Sequence, residues 1–381
     1  MKDLSINYKG KGVKIFNPAR LTQARNWNNY TLDYLAGMLG VTKASVSLYE
    51  KGARNPDAFV QIRLAEALGF PIEFFYKPSF DTSNARISYR KNSSTKKKEK
   101  QRAELLKQFS IEFIAMLSGY VSFKESTIKP IDISCEELSS EDIEDVAVTL
   151  RKTFNAGLGP IQNLMIFLEN RGAIIFLYDN SIIEIDGFSC MYASQPFIYI
   201  NTDYPWDRMR FTLAHELGHI ILHSGIDETK TQSFDFYKMI ERQANVFAGA
   251  FLFPKESFRR EFRGIDNRFL LETKKKWGLS KAAIVKRAHS LKLIGDTQKI
   301  SFFTGQSRRK ERKEEEGSKI REKEAPFLVK TVVNTLLEQH IDSYSLISRC
   351  GFPDELLQII SANTLVAKDE EKQTLPFKLN F

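Results

Sequence analysis

The chain has 381 residues, 42% of them hydrophobic, with a formal net charge of +9. That length holds two or three domains with an ample core, and the composition is that of a soluble globular protein. No run of about eighteen apolar residues occurs, which excludes a transmembrane helix. Cys135, Cys190 and Cys350 are too few and too far apart for a disulfide framework.

The charge is concentrated at one end. Residues 1–102 carry 19 Lys and Arg against 8 Asp and Glu, and the remaining chain is close to neutral. A basic segment on a near-neutral body points to a polyanion partner, most simply nucleic acid. The opening MKDLSINYKGKG lacks the apolar centre of a signal peptide, so a cytoplasmic protein with no membrane association is expected.

In chain order, the first informative stretch is TLDYLAGMLGVTKASVSLYEKG, Thr31–Gly52. Thr31 is placed to cap a helix carrying Leu32, Leu35, Ala36 and Leu39 at helical spacing. Gly40 ends it, because glycine adopts positive φ at little cost. Thr42 then caps a second helix with Val46 and Tyr49 inward. Two short helices joined by a glycine turn make a helix-turn-helix. With YEKGARNP, the helix Asp57–Leu68 and the closing PIEFFY, residues 17–78 resemble the XRE (Cro/repressor-type) helix-turn-helix family. That resemblance implies a five-helix domain over residues 1–78 whose third helix enters the DNA major groove, often as a homodimer on an operator. Of the outward residues, Lys43, Ser45 and Ser47 are candidates for base edges, and Lys51 and Arg54 for phosphates.

Residues 79–102 read as a basic, solvated linker. A helix is expected at Ala103–Leu117, and two more at Glu141–Phe154 and Gly159–Gly172. Ala173–Asp179 reads as a buried strand, and Pro196–Asn201 as an edge strand because proline begins it. SIIEIDGFS between them reads as a further short strand and a turn.

The stretch FTLAHELGHIILH, Phe211–His223, holds three of the five histidines, each four residues from the last. Residues four apart share a helix face, so His215 and His219 can aim at one zinc ion (Zn2+). Glu216 follows the first ligand and stands beside the metal, where a carboxylate can take a proton from activated water. His223 lies about 12 Å of helix from His215 and cannot share that metal with both others. It reads as a residue behind the ligands or as helix-end packing. A third ligand must come from an acid downstream: Asp227, Glu228, Asp235 or Glu241. MIERQANVFAGAFLFP, Met239–Pro254, reads as a helix with Glu241, Ala244, Asn245 and Ala248 on one stripe. Small residues beside a carboxylate favour Glu241. Tyr237, Arg208 and Arg210 are available as donors to an oxyanion.

RMRFTLAHELGHIILH followed by ERQANVFAGAFLFP resembles the ImmA/IrrE family of zinc metallopeptidases. In that family the third ligand is the glutamate at the position of Glu241. The chain departs from it at Gln243, where a second acid is common. The resemblance implies a zincin-like domain over residues 103–300, with a small mixed sheet and an active-site helix. SRRKERKEEEGSKIREKE, Ser307–Glu324, reads as a solvated helix or hinge, within a charged and helical C-terminal tail over residues 301–381. The expected fold is thus α+β and mostly helical. As a whole the chain resembles fused XRE–ImmA/IrrE proteins. The implied activity is zinc-dependent cleavage of a repressor, or of the chain itself, to switch transcription of stress or mobile-element genes. The competing reading is a regulator without proteolysis, or a toxin–antitoxin or phage-defence component, acting through DNA and protein binding.

Overall fold

The structure is a computed structural model, and it describes residues 15–85, 87–88, 97–226, 230, 233–311 and 314–365. Two compact units emerge. Of the described residues, the first joins those within 15–80, 105–121 and 329–365, and the second those within 81–104 and 122–328.

In the first unit, α1 (Pro18–Trp27), α2 (Leu32–Leu39), α3 (Lys43–Glu50) and α4 (Ala58–Leu68) form the helix-turn-helix core. The local signals act as expected. Thr31 Oγ1 accepts from Tyr34 N at 3.1 Å, and Thr42 Oγ1 from Ser45 N at 3.1 Å. Gly40 sits at φ +63° between the two helices. Leu35, Ala36, Leu39, Val46 and Tyr49 are buried. The expected fifth helix, however, is a 3-10 turn over Ile72–Tyr76.

The domain boundaries differ from those expected, for identifiable reasons. The helix α5 (Lys97–Leu117) begins inside the presumed linker, because Lys, Glu, Gln and Arg are good helix formers. Its first turns belong to the second unit, where Arg102 donates to Ile182 O at 2.9 Å and Glu99 accepts from Glu184 N at 2.9 Å. From Leu105 onward it belongs to the first unit. There Phe109 packs against Trp27, Phe74 and Phe352, and Glu112 forms a buried bidentate pair with Arg20 at 2.7 and 2.9 Å. The C-terminal helices are not a separate module either. In α14 (Leu328–Glu338), α15 (Ser343–Cys350) and α16 (Asp354–Ile360), the buried Val333, Leu336, Leu346 and Leu357 join the first unit's core.

The second unit is built on β1 (Ile87–Ser88), β2 (Ile174–Tyr178), β3 (Gly187–Tyr192) and β4 (Gln195–Asn201), in the order β1-β3-β4-β2. The expected edge strand is therefore interior: β4 pairs antiparallel with β3 and parallel with β2. Pro196 is tolerated because the ladder with β2 starts one residue later, at Phe197. Ala193 and Ser194, both at positive φ, close the tight β3–β4 hairpin. Both sheet faces are buried. Phe176, Phe188 and Tyr199 stack on one. Ile198 and Ile200 on the other pack with α8 (Trp206–His223), and α8 packs against α9 (Phe234–Leu252).

Around this centre lie α6 (Ser140–Thr153), α7 (Leu164–Glu169), α10 (Lys255–Glu261), α11 (Asn267–Trp277), α12 (Lys281–Ser290) and α13 (Asp296–Arg308). The segment after α13 is not solvated throughout. Glu315 is buried and accepts from Lys281 N and Ala282 N at the start of α12, at 2.7 and 3.0 Å. Glu324 accepts from Leu164 N and Met165 N at the start of α7, at 2.7 and 3.2 Å. Carboxylates at helix N-termini satisfy donors that have no partner within the helix. Among the described residues, no helix is long and apolar enough to cross a membrane.

Glu169 caps in the same way, accepting from Phe327 N at 2.8 Å and Leu328 N at 3.2 Å. Burial lifts its carboxyl to about 7, against the pull of these two donors toward the anion. The folded protein thus keeps a proton that the unfolded chain loses near pH 4.5. Stability from this residue is full below that pH and is lost as pH rises through about 7. Glu169→Gln keeps an acceptor and removes the titration. Chemical unfolding at pH 5 and pH 8 should show the variant losing less stability than wild type, by about 2 kcal/mol. Parallel pH profiles would contradict this.

Candidate metallopeptidase site

The site is made where α8 crosses β3 and α9. His215, Glu216, His219 and His223 are all buried on α8. Their helical spacing stacks His215 and His219 one turn apart, with Nε2 atoms 3.0 Å from each other. From α9, Glu241 brings its carboxylate 3.5 Å from His215 Nε2 and 3.3 Å from His219 Nε2. These three residues are the one group of potential metal ligands among the described residues.

Asp235, another candidate for third ligand, is exposed and outside that group. Asp227 and Glu228 lie outside the described residues. The donor set passes a geometric test. Ligands about 2.0–2.1 Å from a tetrahedral zinc stand roughly 3.3 Å apart. The three observed separations, 3.0, 3.3 and 3.5 Å, bracket that value. Two imidazoles and a carboxylate are also the chemistry of a site that leaves a fourth position open.

Glu216 is held from the sheet. Ser189 Oγ on β3 donates to its Oε2 at 2.7 Å. Gly187 lets the strand come this close, since a Cβ there would meet Thr212 Cγ2 at 2.6 Å. Nothing in the sequence marked Ser189. Its position on the face toward α8 follows only from the register that sets it opposite Ile198.

The remaining expected residues divide. Tyr237, Arg208, Glu216 and Glu241 line one cleft of about 760 Å3 within the second unit. Arg208 there is paired with Asp186 at 2.6 Å. Arg210 is not placed as an oxyanion donor. It is buried, pairs with Glu324 and donates to Ile161 O at 2.8 Å, so it anchors the segment after α13. His223 lies behind His219, with Nδ1 atoms 3.0 Å apart, and its Nε2 is 3.0 Å from Gln243 Oε1. Burial first, and the neighbouring His219 second, push His223 down to about 3, so its ring is neutral. In the first unit Lys43, Lys51 and Arg54 are exposed, Ser45 and Ser47 half-buried. Lys43 is paired with Asp33 at 2.7 Å.

The approach of α9 to α8 depends on Gly218. A Cβ there would meet Phe247 Cδ1 at 3.0 Å and Ala244 Cα at 3.3 Å. Gly218→Val should therefore move Glu241 away from the histidine pair. We expect about 1–3 kcal/mol of lost stability. We also expect a loss of zinc affinity, measured by chelator competition on the folded protein. Unchanged affinity would show that the helix contact does not set the site.

Residues 175–289 match the family described as IrrE N-terminal-like domain, Peptidase_M78, and residues 21–75 match a helix-turn-helix family. No curated protein matches the chain. The first match contains every site residue described above on α8, α9 and β3, and the second contains α2 and α3. The chain therefore joins a DNA-binding helix-turn-helix domain of XRE type to a metallopeptidase domain of the M78, IrrE-like kind.

Proposed function

We propose that the chain is a transcriptional regulator whose peptidase domain is a zinc-dependent endopeptidase, and that it switches gene expression by cutting a repressor or itself. One observation carries the reading. His215, His219 and Glu241 converge while Glu216, adjacent in sequence, is held beside them by Ser189 at the wall of a cleft. A structural zinc site needs neither a carboxylate beside its ligands nor an opening to solvent.

When bound, zinc supplies Lewis acidity to the scissile carbonyl and to water. The chain's own residues do the rest. Glu216 takes the proton from the attacking water and hands it to the leaving amine. Ser189 fixes the plane of that carboxylate through Oε2. Tyr237 and Arg208 line the same cleft and are our candidates for donors to the oxyanion, with Arg208 first having to leave Asp186. The match to a peptidase family supports a protein as the substrate of this cleft.

The DNA reading rests on the basic N-terminal region and on the exposed face of α3. Lys43 must leave Asp33 to reach a base edge, and Ser45 and Ser47 offer hydroxyls to base edges or phosphates. Lys51 and Arg54 meet phosphates, on a duplex bound by two copies of the chain.

Cells expressing wild type or Glu216→Ala are compared by mass spectrometry of new protein N-termini. Fragments seen only with wild type are expected and would identify the substrate. Identical profiles under several stresses, with zinc bound in both proteins, would contradict the peptidase reading. For DNA, Lys51→Ala should weaken binding to all duplexes alike and lower the slope of log affinity against log salt by about 1. A slope unchanged from wild type would remove Lys51 from the interface.

A further inference from the structure

We infer that His223 and Gln243 form a relay that fixes the tautomer of His219, so that its unprotonated Nε2 faces Glu241 and His215. The inference rests on the reading of His219 as a metal ligand. It follows from donor and acceptor capacity, starting at the backbone.

Gln243 on α9 is buried, and its amide nitrogen donates to Cys135 O at 2.6 Å and to Leu138 O at 3.4 Å. Backbone carbonyls only accept. The amide therefore cannot be turned around, since its oxygen would then face two other oxygens. Its Oε1 must point at His223 Nε2, 3.0 Å away, and that nitrogen must carry the proton. His223 is buried between an amide and another imidazole, with no carboxylate as its hydrogen-bond partner to hold a second proton, so its Nδ1 is an acceptor. The atom 3.0 Å from it is His219 Nδ1, which must donate. His219 is then left with a lone pair on Nε2.

That lone pair stands 3.3 Å from a Glu241 oxygen. His215 Nε2 is nearer still, at 3.0 Å, so the lone pair faces the point on which the three grouped ligand atoms converge. The chain of contacts thus prepares a metal-binding nitrogen without any metal being needed to select it. Ligand histidines are commonly oriented by a hydrogen bond at the second ring nitrogen. Here the acceptor is a third histidine, itself set by an amide.

The chain also gives a reason for glutamine at 243. A glutamate would also accept from His223 Nε2, but it would set a carboxylate oxygen against Cys135 O and Leu138 O, whereas the amide donates to both. His223 and Gln243 are positioning residues, because neither is among the three grouped ligands.

The test uses the full chain with 15N-labelled histidine, stripped of metal, and long-range 1H–15N correlation to read each ring. His219 protonated at Nδ1 and His223 at Nε2 is the expected result. His219 protonated at Nε2 would overturn the relay. Zinc affinity is then measured by chelator competition on His223→Leu and His223→Asn. Leucine offers no acceptor to His219, and affinity should fall about 10–100-fold. Asparagine places an amide oxygen where Nδ1 stood, and affinity should return close to wild type. Equal affinity in His223→Leu and wild type would also overturn the relay. If His223→Leu does not fold, Gln243→Leu serves in its place, with the His223 tautomer as readout. Wild-type protein that shows the expected tautomers but takes up no zinc would sink the metal reading and leave the relay standing.

Discussion

The close packing of α8 on α9 at Gly218 and Ala244 is the constraint on which the site depends. Helix geometry alone brings His215 and His219 together, because they share a face. It cannot bring a third ligand. That needs a second helix near enough for the Glu241 side chain to reach both imidazoles, and glycine at 218 favours the approach, since a Cβ there would crowd Phe247 and Ala244 at 3.0–3.3 Å. The ring of Phe247 and the backbone of Ala244 then occupy the space a side chain would have filled. Gly187 plays the same part on the other side, letting β3 deliver Ser189 to Glu216.

Burial gives these contacts their weight. A desolvated polar group without a partner costs several kcal/mol, so every buried polar atom near the site has to be placed. Ser189 answers for one oxygen of Glu216. Backbone carbonyls answer for the amide of Gln243, and through it the orientation passes to His223 and His219. The acids after α13 follow the same rule farther out. Glu315 and Glu324 end at helix N-termini, and Glu324 also holds Arg210, two turns before Leu217 on the helix that carries the histidines. The polar contacts around the site thus extend into a segment whose composition alone suggests a solvated hinge.

What could be read from the sequence was what depends on short range. The helix-turn-helix showed itself because Thr31, Gly40 and Thr42 act on their own neighbours. The His-Glu-x-x-His pair did so because four residues make one helical turn. Glu241 was legible as a carboxylate on a stripe of small residues. What escaped depends on partners distant in the chain. Ser189 has meaning only once the hairpin register sets it facing α8. Gln243 was visible as a departure from a family pattern, but its role needs the carbonyls of Cys135 and Leu138. Pro196 suggested an edge, yet the sheet accommodates it by starting the parallel ladder one residue later. The domain boundaries failed for a similar reason. Phe109 and Phe352 are ordinary apolar residues in sequence, and only their packing with Phe74 shows that α5 from Leu105 onward and the C-terminal helices belong to the first unit.

The central claim is that two imidazoles and one carboxylate from α8 and α9 hold a zinc ion. X-ray absorption at the zinc edge, on the full chain loaded with one equivalent, tests it most directly. The account predicts a shell of nitrogen and oxygen at about 2.0–2.1 Å, with imidazole scattering from two histidines and no sulfur. In Glu241→Gln the shell should change or the metal should be lost. Sulfur at about 2.3 Å, or a spectrum of hydrated zinc alone, would contradict it.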